Sequence, residues 1–93
     1  MELELIRKEI DQIDSDLVQL IEKRVSLVDH VMAYKRQHQI PVLDEERQQF
    51  ILEDIRKQVS NLAYVDAVLE SFEGIMAASR HYQTQYLTGD FND

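Results

Sequence analysis

Large apolar residues recur along the first third of the chain at Ile6, Ile10, Ile13, Leu17, Leu20, Leu27, Val31 and Tyr34. The steps alternate between four and three residues, the seam spacing of a helix that packs along its whole length. One place in the series is missed. The register asks for an apolar side chain at 24, and the chain has Arg24. Good helix formers fill the segment, with neither Gly nor Pro inside it, so the pattern predicts a first helix over about residues 3–38. Pro41 and its β-branched neighbours Ile40 and Val42 stop it.

Asp44 then reads as an N-cap, with Glu45 and Glu46 in the first turn favouring the positive helix end. A second helix follows over about 44–59, with Phe50, Ile51, Ile55 and Val59 expected to face inward. Ser60 and Asn61 are turn or cap residues. A third helix is predicted over about 62–87. Its inward stripe is Val65, Val68, Leu69, Phe72, Ile75, Met76, Ser79, Gln83 and Tyr86. Gly74 lies inside it, weakens it by roughly 1 kcal/mol relative to Ala, and suggests a close helix contact. The tail after Leu87 is expected to fray. The fold class is therefore all-α: one long and two shorter helices in a single domain of 93 residues.

The length of the first helix changes this picture. At ~1.5 Å per residue, 35 residues span roughly 52 Å. A compact chain of this size has a radius of gyration of only about 12 Å. One end of the helix should overhang its own subunit, and burying its apolar seam there requires a second chain. The expectation is an intertwined homodimer.

Composition adds mainly exclusions. The chain has no cysteine, so disulfides, thiolate metal sites and cysteine nucleophiles are out. No apolar run approaches the ~20 residues of a membrane span, and MELELIRKE lacks the pattern of a signal peptide. The expected location is the cytoplasm, with no membrane partner. Net charge is −8, from 18 acidic and 10 basic side chains, which argues against nucleic acid as a partner. An anionic ligand would need a local cluster of cations. His30, His38 and His81 show no metal-ligand spacing, and no glycine-rich phosphate loop is present.

Such a cluster is legible. Lys35 lies eleven residues beyond Arg24, about three turns, so it leaves nearly the same helix face about 16 Å away. Ser79 and Gln83 stand four apart on the stripe of the third helix and point inward together. Arg47 lies one turn from Asp44. Singly, each has an ordinary explanation: a register device or buried ion pair for Arg24, a solvated helix-end cation for Lys35. Together they are donors that the few inward carboxylates cannot satisfy, at about 1–3 kcal/mol for each one buried unpaired. An anionic small molecule would satisfy them. Arg7 is separate. It lies 17 residues from Arg24, about 25 Å along the axis; taken alone it reads as a solvated surface cation, and it can reach such a pocket only in a partner subunit.

These residues resemble a known family. LIRKEIDQID, LIEKRVSLVDHVMAYK, IPVLDEERQ and SRHYQ together look like the all-helical (AroQ-type, type II) chorismate mutases over about residues 3–87. The resemblance implies an intertwined helical homodimer with two active sites, each using one arginine of the partner. By that resemblance Arg7 would cross the dimer to a substrate carboxylate. Arg24 would bind the other carboxylate region, and Lys35 a carboxylate and the ether oxygen. Asp44 would meet the substrate hydroxyl through its backbone, and Arg47 would lie near a substrate carboxylate. Ser79 and Gln83 would form the third-helix pair, with Gln83 the second donor to the ether oxygen. Lys35, Gln83 and Arg24 would be the catalytic set. Gln48 departs from the pattern, standing where family members often have Glu; it accepts a hydroxyl proton less strongly.

The implied reaction is the Claisen rearrangement of chorismate to prephenate, on the route to phenylalanine and tyrosine. It needs no nucleophile, metal or cofactor. An isochorismate–pyruvate lyase of similar fold and a non-catalytic helical dimerisation or regulatory module are the alternatives. A partner enzyme from the same pathway is compatible with the sequence.

Overall fold

A computed structural model describes residues 2–87, apart from the side chains at 86 and 87. The expectations for Tyr86 and for the tail fall outside them. Three α-helices carry the chain: α1 (Leu3–His38), α2 (Glu45–Gln58) and α3 (Val65–Leu87). A single 3-10 turn, Leu62–Tyr64, precedes α3. The third helix therefore starts three residues later than the periodicity predicts. Asn61 accounts for the difference, because its side chain accepts from the Ala63 N–H at 2.9 Å and sets a tight turn before α3 begins.

The end of α1 is made differently from the expectation. Pro41 does not act alone. Gln39 adopts the left-handed conformation (φ 56°, ψ 41°), and the N–H of Ile40 bonds back to the Lys35 carbonyl at 2.8 Å. This is a helix stop of the kind glycine usually makes, with a proline just beyond it. The start of α2 is as predicted: the Asp44 carboxylate accepts from the Arg47 N–H at 3.0 Å, and Glu45 and Glu46 occupy the first turn.

α3 is the shared element, packing against both α1 and α2. The core is small. Met32 of α1 and Val65, Leu69 and Met76 of α3 are its buried apolar members. Val68, Phe72 and Ile75 of the predicted α3 stripe are half-buried, as are Ile51, Ile55 and Val59 of α2. Phe50 is a correction. It is 61% exposed rather than inward, and the Arg47 guanidinium lies 5.4 Å from its ring centroid, a cation–π contact at the surface. Gly74 meets no close neighbour within the chain, since a Cβ there would have nothing within 4 Å.

The seam of α1 is largely uncovered. Every one of its eight apolar residues is exposed, and Leu3, Leu5, Val18 and Ile21 beside it are exposed too. The chain measures 52 × 31 × 15 Å with a radius of gyration of 16.5 Å, against about 12 Å for a compact chain of this length. Its accessible surface is 7809 Å², against roughly 5,600 Å² for a compact monomer of its mass. α1 overhangs, as its length requires.

A long-range side-chain bond ties the two long helices together. The Tyr82 hydroxyl donates to the Asp29 carboxylate at 2.7 Å, across 53 residues of sequence. Tyr82→Phe should lower stability by about 1 kcal/mol, read as a shift of the urea midpoint at unchanged m-value. Asp29→Ala should give a similar loss, and combining the two should add little.

Candidate active site

The end of α1, the start of α2 and the last turns of α3 enclose a cleft of about 190 Å³. Arg24 and Lys35 line it from α1, and Arg47 and Gln48 from α2. Asp44 lines it from the N-cap of α2, and Ser79 and Gln83 from α3. Seven of the eight residues singled out in the sequence thus meet around one small space. Arg7 does not: it sits on the exposed, overhanging part of α1. Val28, Val31, Val42, Ile51 and Met76 supply the apolar wall.

Local structure explains how each polar group is held. Arg24 and Lys35 are half-buried and leave the same face of α1. The ammonium of Lys35 donates to the Val42 carbonyl at 2.8 Å. The left-handed turn at Gln39 brings that carbonyl back over the helix end, so the loop fixes the lysine. An ammonium has three donors, and this bond uses one. The Asp44 carboxylate caps α2 and its carbonyl accepts from the Gln48 N–H at 3.0 Å, which leaves the backbone N–H of Asp44 to face a ligand.

Gln83 is the most deeply placed polar group, only 6% exposed. Its Nε2 lies 3.3 Å from the Ser79 hydroxyl, and its Oε1 has no hydrogen-bond partner. A buried amide oxygen without a partner costs about 1–3 kcal/mol. The two ends of a carboxamide exchange by a half-turn, and the hydroxyl of Ser79 can donate as well as accept. In the turned orientation Ser79 donates to the amide oxygen and the amide N–H₂ faces the cleft. Either way one end of Gln83 is kept for a ligand.

The electrostatics are one-sided. Arg24, Lys35, Arg47 and Arg80 bring four positive charges to the cleft and Asp44 one negative, in a chain whose net charge is −8. Arg80 was passed over in the sequence, although it stands inside SRHYQ. It stands four residues after Met76 and three before Gln83, about 40–60° from each round the helix, so its spacing was inward and its charge masked the signal. A larger, shallower basin of about 850 Å³ adjoins the cleft and carries Glu45, Glu46 and Glu53. Its acidic lining suits an anion poorly, so the cation-lined cleft is the candidate site. Among the described residues no cluster of His, Cys, Asp and Glu could hold a metal ion. No helix among them is long and apolar enough to cross a membrane.

Comparison with known proteins agrees with this geometry. Residues 6–84 match the profile of the family described as chorismate mutase type II. A protein named chorismate mutase from Methanocaldococcus jannaschii is 35% identical over 83 residues, covering 88% of this chain and 84% of that one. The T-protein of Haemophilus influenzae is 44% identical over 43 residues, which are 46% of this chain and 11% of that protein. No solved structure matches the chain at a significant level. A match across most of the chain, with three helices and a cation-lined cleft where the motifs fall, places this chain in the chorismate mutase type II family.

Proposed function

We propose that the chain is a chorismate mutase that converts chorismate to prephenate, and that it does so as an intertwined homodimer. The observation that carries the reading is the cleft itself. Several cations and one buried, unsatisfied amide converge on a space that suits a small dianion. No activated nucleophile accompanies them. A pericyclic rearrangement asks for that combination: one C–O bond breaks as one C–C bond forms, within a single substrate, with no proton to move.

The division of labour follows from position. Arg24, Arg47 and a partner's Arg7 would hold the two carboxylates and so fold the substrate into its reactive chair-like conformer. As the ether bond breaks, negative charge grows on its oxygen. Lys35, steadied by the Val42 carbonyl, and the amide N–H₂ of Gln83, steadied by Ser79, would donate to that oxygen. Donors fixed beforehand stabilise the developing charge without reorganising. Asp44 and Gln48 would meet the substrate hydroxyl, Asp44 through its backbone. Gln48 accepts there without charge.

The dimer is supported by what the single chain leaves bare. Its accessible surface exceeds that of a compact monomer by roughly 2,000 Å², an amount typical of an obligate interface. An apolar groove of about 340 Å³ runs between α1 and α3 along Ile21, Val25, Gly74, Ile75 and Ala78. Its small residues leave room for a partner helix, which is where the open space beside Gly74 would be used.

Chorismate absorbance should fall when purified protein is added, with prephenate as product. Salicylate plus pyruvate would assign the lyase reaction instead, and no turnover at any protein concentration would refute both. Lys35→Ala should lower kcat by about 10²–10³ with a thermal midpoint close to wild type. Gln83→Glu should be active only in acid, because its carboxyl must be protonated to donate; ionisation above about pH 4–5 removes that donor. A flat pH profile would contradict the role of Gln83. Arg7→Ala should stay dimeric by sedimentation yet lose activity. Mixing it with an inactive Lys35→Ala partner should restore part of it, because some heterodimer sites then carry both groups.

A further inference from the structure

The cation-lined cleft and the acidic outer basin share two lining residues, Gln48 of α2 and Arg80 of α3. These two residues form the divide between the spaces. Arg80 is half-buried, and its guanidinium has no ion pair among the described residues, although Glu45, Glu46 and Glu53 line the basin on one side of it. On the other side lie Arg24, Lys35 and Arg47. A partly buried guanidinium between acidic and basic surroundings, held by neither, is a charge available to a ligand.

We propose that Arg80 is a further substrate-binding residue: a cation at the mouth of the cleft that takes the substrate carboxylate nearest α2, left free to do so by the uncharged Gln48 beside it. The inference rests on the chorismate mutase reading and deepens it. A dianion coming from the basin side first meets three glutamates, and Arg80 is where the local charge changes sign. Its planar fork can grip a carboxylate with two parallel N–H donors, which a lysine cannot match. A Glu at position 48 would stand beside Arg80 and compete for it. Gln accepts a hydrogen bond there without quenching the charge. The departure at Gln48 and the free cation at Arg80 are thus two parts of one arrangement.

The competing explanation is packing, since the long stem of an arginine can cover apolar surface between two helices. Arg80→Met separates the two, because it keeps the stem and removes the charge. Arg80→Met should raise KM for chorismate about tenfold, the scale of one charge-assisted hydrogen bond, with kcat within about twofold and an unchanged thermal midpoint. Arg80→Lys should recover part of the loss. Wild-type KM should climb with added salt more steeply than that of the Met variant, because one screened attraction is missing from the latter. Gln48→Glu should raise KM when Arg80 is present and raise it less in the Lys variant, whose compact ammonium makes no bidentate pair.

Unchanged KM in Arg80→Met beside an active wild type would overturn the proposal and leave the mutase reading standing. So would a Met variant equal to wild type with only Arg80→Ala destabilised, which would assign Arg80 to packing. An inactive wild type would instead overturn the mutase reading, and this inference with it.

Discussion

The length of α1 governs this molecule. Thirty-six residues at ~1.5 Å each make a rod of about 54 Å, which is the whole long dimension of the chain. Two helices of 14 and 23 residues cannot sheathe it. Only α3 packs against it, covering one flank of its C-terminal half at Met32 and leaving the apolar seam bare from Ile6 onward. Four buried apolar side chains among the described residues make a small core. The proposed second chain would therefore supply stability as well as symmetry, and a folded monomer would be at best marginal.

The same rod carries the chemistry. Arg24 and Lys35 are set three turns apart by helix geometry alone, and the loop after α1 does the rest. The left-handed Gln39 turns the chain, Val42 returns its carbonyl to Lys35, and Asp44 caps α2 so that Arg47 and Gln48 come up beside the cleft. α3 closes it with Ser79 and Gln83. Positive charge is gathered in one place while the rest of the surface carries the excess of carboxylates. An acidic protein can hold a dianion because the separation is local: screening limits the reach of the remote carboxylates to about a Debye length. The arrangement suits a reaction that needs positioning and charge stabilisation and no bond to the protein.

Much of this was legible in the sequence because it rests on helical periodicity. The three helices, the cap at Asp44, the shared face of Arg24 and Lys35 and the inward pair Ser79–Gln83 all follow from spacing. What was not legible depends on chain geometry between helices or on positions just off a stripe. The Gln39 stop and the Val42 anchor belong to a loop, where no periodic rule applies. Phe50 points about 100° from Ile51 and 140° from Ile55 round α2, away from the covered stripe, and there it lies under the Arg47 guanidinium. Arg80 stands four residues from Met76 and three from Gln83, so the spacing admits it, and its charge at the edge of an apolar stripe is what hid it. Arg7 was legible only as a residue too far from Arg24 to serve the same cleft, and a single chain keeps it there.

Viewed down the axis of α1, the two roles of the helix become one. Arg24, Val31 and Lys35 share a direction to within about 20°, and they face the cleft. Met32 lies about 80° to one side, where α3 packs. Leu27 and Tyr34 lie about 60–80° to the other, and both are more than half exposed. The cleft is thus walled on the α3 side and unwalled on the seam side. In the proposed dimer, covering the seam builds the missing wall, excludes water from the cations and brings Arg7 into range in a single step. Water exclusion matters because the attraction between fixed cations and a dianion strengthens as the surrounding dielectric falls. Assembly would then be a part of the chemistry: the interface that stabilises the long helix would also raise the strength of every charged contact beside it.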